Sequence, residues 1–269
     1  MVLTSGEKGR IAVSDPEKGI LGCRDCDPSE EEWMKNERQR ELQQASSILG
    51  IEHIEFLRFP DKGINQQAIP NIQERIQSFD PHIILSFNEA GTLDPTRSDH
   101  SWSSIATYWA LISLLSSCPE QLAFMRYITY TLPCAHLVFD RYAELSTPQN
   151  QLITIDISGT LEQKNEAITA HHTQRHLVEY FRRIGILDLS NEYFHERIFA
   201  GISSKGTGDI FFGIGSNNPD KSYALGSFPE ASEHYLSNNP YFYKLLIERF
   251  ISQSSQHPEK FEPVLIHEW

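Results

Sequence analysis

The sequence predicts an α/β protein built on a mainly parallel sheet with helices on both faces. Strand-length apolar segments alternate with longer stretches of helical character, the order expected of β-α units. One of those segments, His82-Ile83-Ile84-Leu85-Ser86-Phe87, is an almost unbroken apolar run, as in a parallel strand covered on both faces. Three polar loops, 4–9, 59–63 and 87–100, follow strand-like segments, and open α/β sheets bind ligands at the carboxyl ends of their strands.

Val2-Leu3-Thr4 reads as the last residues of a strand and Ser5-Gly6-Glu7-Lys8-Gly9 as a turn. Residues 10–29 read as a polar loop. A helix is expected from about Glu30 to Leu49, ended by Gly50 in the C-terminal position that favours glycine. Ile54 to Phe59 alternates as a strand and is broken by Pro60-Asp61-Lys62-Gly63. A short helix over 69–78 precedes the apolar strand, and a Gly-, Asp- and Pro-rich loop over 88–99 leads into a helix from about His100 to Ser116. Two strands are expected over 125–132 and 151–157, and one helix over about 160–184. From Asn191 onward the chain reads as Gly- and Asn-rich loops with a final helix near 240–253.

The 269 residues are read as a single domain, with 15 Phe, 10 Tyr and 4 Trp available for a large core. A net charge of −13 argues against binding a nucleic-acid backbone. No apolar run is long enough to span a bilayer, and the start, Met1-Val2-Leu3-Thr4, lacks a signal-peptide pattern; the default location is the cytosol. Nothing in the pattern specifies an oligomeric state. Cys23 and Cys26 form a C-x-x-C without the second close pair that a zinc ribbon uses, and are read as incidental loop thiols. His172 and His176, four residues apart, lack the accompanying Glu of a zincin and are read as a solvated helix face.

Asp99-His100 at the start of a long helix suits a metal-binding histidine supported by a carboxylate, and equally suits an aspartate that only caps the helix.

Five segments, in order, then carry a more specific signal. They are Leu3-Thr4-Ser5-Gly6-Glu7-Lys8-Gly9, Arg38-x-x-Glu41-x-x-x-Ala45-x-x-x-Leu49-Gly50, Phe56-Leu57-Arg58-Phe59-Pro60-Asp61, Asp99-His100, and Lys164-x-x-Ala167-x-x-x-His171-x-Thr173-Gln174. In this order they resemble the PIG-L / LmbE-like family of zinc-dependent N-acetylglucosaminyl deacetylases, over roughly residues 2–200. The resemblance implies a Rossmann-like three-layer fold, a Zn2+ cofactor, and a small-molecule or glycoconjugate substrate from which an N-acetyl group is hydrolysed. In the family, zinc is held by the His and second Asp of an A-H-P-D-D motif and by the last His of H-P-D-H.

Carried over residue by residue, His100 is the metal ligand and Asp99 the carboxylate that supports it. Arg38 and Asp61 help define the sugar pocket, and His171 reaches the same rim. Plainer readings stand beside these: Asp61 as a turn former, Arg38 as a surface charge, His171 as a locally bonded helix residue. Arg97 replaces the first His of H-P-D-H. A guanidinium can stabilise a charged intermediate but cannot donate and reclaim a proton; Arg97 can instead pair with Asp94 or Asp99. The A-H-P-D-D segment does not occur, so the first, central strand of the sheet is expected to be missing, together with two metal ligands and the general base. The full-length protein is therefore expected to be a zinc deacetylase, and these 269 residues alone to be inactive. The alternative is a non-catalytic sugar-binding protein on the same fold. A nucleotide-binding protein is disfavoured, because neither a P-loop nor G-x-G-x-x-G stands in place.

Overall fold

The computed structural model describes residues 1–15, 20–61, 63–87, 99–118, 121–131, 152–183, 185–201, 203–214 and 223–225. They fall into two compact units, Met1–Ile64 with Asp156–Glu192, and Asn65–Ile155 with Tyr193–Trp269.

In the first unit, strand β1 (Val2–Thr4) pairs in parallel with β4 (Phe56–Phe59). Between them lies helix α1 (Glu31–Leu49). Its approach is a 3-10 turn, Pro28–Glu30, closed by a capping box: the Asp27 carboxylate accepts from Ser29 and Glu30 reaches back to the Asp27 amide. Its end is Gly50 in the left-handed conformation, φ 71°. The buried stripe of α1 runs through Met34, Glu41, Ala45 and Ser46. Ala45 packs on Ala167 and Ala170, small residues that let the backbones approach closely.

Residues 10–29 are not the polar loop that the sequence predicts. Arg10–Asp15 (β2) and Ile20–Asp25 (β3) form an antiparallel hairpin in continuous register from Arg10 opposite Asp25 to Asp15 opposite Ile20. The two strands satisfy each other's main-chain groups, so weak hydrophobicity does not prevent pairing, and Ile11 supplies a buried anchor. Cys23 accordingly sits in a strand and not in a loop.

The helix expected over 160–184 is broken. Leu161–Thr169 (α4) ends at Ala170, His172–Gln174 is a 3-10 turn, and Arg175–Arg183 (α5) follows. His171 has non-helical dihedrals, φ −83° and ψ 72°. The cause is a competing partner: the Thr173 amide and hydroxyl both donate to the Glu41 carboxylate, at 2.6 and 2.8 Å. His172 and His176 therefore do not share one helix face; His172 is exposed, and the Nδ1 of His176 is buried.

In the second unit, helices α2 (Ala68–Phe79) and α3 (Asp99–Ser117) accompany a sheet in the order β5, β6, β8, β7, with β9 (Tyr223–Leu225) also on β8. Here β5 is Ile83–Phe87, β6 Arg126–Thr131, β7 Ile153–Asp156 and β8 Asn191–Ala200. Strands β5 and β6 are parallel, while β8 runs antiparallel to both β6 and β9. The α/β class holds; the described sheet is mixed where a mainly parallel one is expected. Ile128, Ile153 and Phe194 form its apolar centre, with Ile83, Tyr130, Ile155 and Ile210 packed against them.

Strand β8, Asn-Glu-Tyr-Phe-His-Glu-Arg-Ile-Phe-Ala, corrects the expectation of loops after Asn191. Its charges are the reason it escapes an apolar pattern, and Glu196 and Arg197 have partners inside. Glu196 pairs with Arg126 at 2.6 Å, both almost fully buried. Arg197 is the extra residue of a bulge opposite Tyr127 and Ile128, and its Nε donates to the Thr129 hydroxyl at 3.0 Å. The final helix expected near 240–253 lies outside the described residues. No helix among the described residues is long and apolar enough to cross a membrane.

Candidate functional site

The first unit gathers four of the segments singled out in the sequence around one tight turn. Gly6, at φ +66°, turns the chain after β1, and the Gly9 amide closes the turn on the Gly6 carbonyl at 3.1 Å. Asp61, just past β4, is tied to this turn reciprocally: its amide donates to the Glu7 carboxylate at 2.8 Å, and its own carboxylate accepts the Lys8 amide at 2.9 Å.

Arg38 comes up from α1 beneath the same turn. Its Nη1 donates to the Gly6 carbonyl at 2.7 Å and its Nη2 to the Arg10 carbonyl at 3.1 Å. A methyl group on Gly9 would stand 2.4 Å from Nη1 and 2.5 Å from Nη2, and one on Gly6 2.6 Å from Nη1. Both glycines of the turn are thus explained by the guanidinium that fills the space a side chain would take. Burial pushes the Arg38 pKa down, with nearby Asp61 and Glu41 opposing it; an arginine stays cationic regardless. Its Nε and the Glu7 Oε2 are buried without a hydrogen-bond partner among the described residues.

One helical turn after Arg38, Glu41 points to a different segment. Only 2% of it is exposed, and besides its two bonds to Thr173 it faces His171 Nδ1 at 4.0 Å. Burial pushes the His171 imidazole below its usual range, an effect that Glu41 partly offsets. Residues three apart on a helix share a face, so Arg38 and Glu41 fasten the 6–10 turn and the 171–173 turn to one stripe of α1. The structure therefore brings Arg38, Asp61 and His171 into one connected network. Gly6, Glu7, Gly9, Glu41 and Thr173 complete it. The sequence reading places them in motifs without giving them a role, although the three-residue spacing of Arg38 and Glu41 is the signal that joins them.

Asp99 and His100 stand in the second unit, where Asp99 opens α3 and its carbonyl accepts the Ser103 hydroxyl at 2.5 Å. The exposed His100 imidazole stacks flat on Phe87 at the end of β5, ring centroids 4.0 Å apart and planes 7° apart. Arg97 and Asp94 lie outside the described residues. Among the described residues no group of three or more His, Cys, Asp or Glu side chains is placed to hold a metal ion. A hydrolytic zinc centre uses about three protein ligands, so the described donors do not by themselves fit one. The C-x-x-C does not supply a substitute. Cys23 lies on β3 and Cys26 directly after it, and three residues of extended chain span about 10 Å, beyond the roughly 7 Å that a disulfide bridges. Burial, Glu30 and Glu31 raise the Cys26 thiol pKa, which disfavours the thiolate.

Residues 1–111 match the model of the PIG-L family, GlcNAc-PI de-N-acetylase. The PIG-L match covers four of the five motif segments, and the fifth is bound to it through Glu41 and Thr173. No curated protein matches the chain. Among solved structures, N,N'-diacetylchitobiose deacetylase from Pyrococcus horikoshii, complexed with its inhibitor MPG, aligns with a TM-score of 0.52 at 12% identity, over 81% of this chain and 75% of its own. GalB, the 4-carboxy-2-hydroxymuconate hydratase from Pseudomonas putida KT2440, aligns with a TM-score of 0.52 at 18% identity, over 75% of this chain and 83% of its own. The chain shares its α/β fold with these two structures. A hydratase and a deacetylase share it, so the fold alone does not name the reaction.

Proposed function

We propose that this protein works as a hydrolase that removes the N-acetyl group from a glucosamine-type sugar or glycoconjugate. The observation that carries the proposal is the PIG-L match over 1–111, whose motif residues converge on the Gly6–Gly9 turn, Arg38 and Asp61. In the reaction, water adds to the amide carbonyl, the C–N bond breaks, and acetate and a free amine leave. The Asp61 carboxylate, fixed by the Lys8 amide, is the group proposed to orient sugar hydroxyls. Arg38 is proposed to act by holding the turn, since both of its terminal nitrogens are engaged by backbone carbonyls. His171, kept mostly neutral by burial, is proposed as the rim residue with a donor and an acceptor nitrogen to offer. Through the family resemblance, Asp99, His100 and Arg97 are the residues proposed to take part in the hydrolytic step.

Zinc enters the proposal through the family resemblance alone, with His100 as its ligand. The described residues do not by themselves furnish a complete zinc site. The test is acetate release from N-acetylglucosamine and its glycoconjugates, with added Zn2+ and with chelator, beside a calorimetric titration of the same sugars. Zinc-stimulated acetate release supports the reading. Sugar binding without hydrolysis favours the sugar-binding alternative, and neither binding nor hydrolysis removes both.

A further inference from the structure

The strained backbone of the first unit lies in β4. Arg58 has φ 58°, in the left-handed region that a non-glycine residue enters at a cost. The pairing of β1 with β4 steps from Val2 opposite Phe56 to Thr4 opposite Phe59, two residues on one strand against three on the other. Arg58 thus sits in a bulge, an uncommon feature of a parallel pair and one that re-aims the chain beyond it. What lies beyond is Phe59-Pro60-Asp61, and Asp61 is the residue that locks reciprocally onto Glu7 and Lys8. Because side chains alternate along a strand, removing the extra residue turns Phe59 to the other face and carries Asp61 away from the turn. Strain that persists at one residue is held there by its surroundings and marks a site that uses it.

We propose that Arg58 is a positioning residue: its left-handed backbone creates the β4 bulge that sets Asp61 in register with the Glu7-Lys8 turn. The role proposed for Asp61 in sugar binding rests on the functional reading above; the positioning does not. The side chain of Arg58 is exposed, so the inference concerns its backbone and is tested by residues that differ in their tolerance of positive φ. Glycine adopts it freely, asparagine readily, alanine poorly, and valine least.

The experiment is amide hydrogen exchange on the whole chain, comparing Arg58→Gly, Arg58→Asn, Arg58→Ala and Arg58→Val. The expected result is unchanged protection of the Lys8 and Asp61 amides in the Gly and Asn variants. Ala carries the same Cβ as Arg and is expected to match the wild type, whereas in Val these two amides lose about tenfold or more in protection while α1 keeps its own. If Val does not fold, Arg58→Thr, also β-branched, decides. Equal loss across α1 and the turn, or full protection of Lys8 and Asp61 in the β-branched variant, overturns the proposal. A steady-state assay on an N-acetyl sugar adds a split that a purely structural role would not produce: the β-branched variant raises KM with kcat nearly unchanged, and Gly keeps the wild-type KM. A wild-type chain that shows the exchange pattern yet neither binds nor cleaves the sugar refutes the sugar reading and leaves the positioning intact.

Discussion

Two arginines do the same mechanical work in the two units under different electrostatic conditions. Arg38 donates to the carbonyls of Gly6 and Arg10 and holds the turn of the first unit. Arg126 donates to the carbonyls of Ile210 and Phe212 and holds the 203–214 loop of the second. Arg126 is almost fully buried and bears directly on Glu196, whose carboxylate also accepts from Ser203 and Ser204. Arg38 is half-buried and bonds directly to main chain, with Asp61 and Glu41 nearby rather than bonded to it. The difference is one of dependence. A cation in the interior needs its carboxylate partner, whereas a cation at the edge of the interior can be held by carbonyl dipoles and retain access to solvent. The first arrangement is built for rigidity and the second leaves a polar rim, which is where the candidate site lies.

The largest effect is expected where that comparison is sharpest. Glu196→Ala leaves the buried Arg126 without its carboxylate partner and is expected to lower stability by about 3–5 kcal/mol in chemical denaturation. Replacing both partners at once, Arg126→Met with Glu196→Leu, is expected to recover only part of that loss, because the Ile210 and Phe212 carbonyls and the Ser204 amide lose their partners as well. If the single and double variants are equally unstable, the buried pair is not the source.

Gly9→Ala comes next. The guanidinium lies at the far end of a flexible side chain, so it moves aside rather than deforming the backbone. The loss is then that of its hydrogen bonds, about 1–3 kcal/mol. In an Arg38→Ala background the same Gly9→Ala change is expected to cost little, and this non-additivity in a double-mutant cycle is the signature of the contact. Additive effects would mean that Gly9 serves the backbone alone.

The smallest and most distributed effect is in pH. Burial holds His195 of the second unit well below the usual imidazole range, with Arg197 and Lys205 acting in the same direction, and holds His171 and His176 of the first unit lower to a lesser degree. For a depressed histidine the unfolded chain takes up the proton first. Stability is therefore full above the ordinary histidine pKa near 6.5 and falls as pH drops below it towards the folded value. Thermal midpoints should decline from neutral to acidic pH, and His195→Gln should flatten that decline more than His171→Gln. The reverse order would place the greater burial in the first unit.

The comparison also explains what could be read in advance. Helix α1, its Gly50 stop and the strand end at Phe59-Pro60-Asp61 are legible because local pattern and local cause coincide there; β5 is legible as a strand but not in its burial, since it stands at the edge of the described sheet with Leu85 and Phe87 exposed, not covered on both faces as its apolar run predicts. The hairpin β2–β3 is not, since its pairing depends on main-chain bonds between weakly apolar segments. Strand β8 is hidden by the charges of Glu196 and Arg197, which become acceptable only through partners about 70 residues earlier in the chain. The break at His171 is likewise invisible locally, because it is imposed by Glu41 on a helix 132 residues away from Thr173. In the candidate site, Arg38, Asp61 and His171 are legible as motif residues. That Arg38 serves the turn through backbone carbonyls is a fact of three-dimensional packing that spacing does not encode.

The most direct test of the account follows the backbone amides of Gly6, Lys8 and Asp61 by NMR while N-acetylglucosamine is titrated into the whole chain. The account predicts saturable shifts concentrated on these three amides and abolished by Asp61→Asn. A saturable response elsewhere that leaves these amides unmoved would contradict the placement of the sugar at the Gly6–Gly9 turn and Asp61.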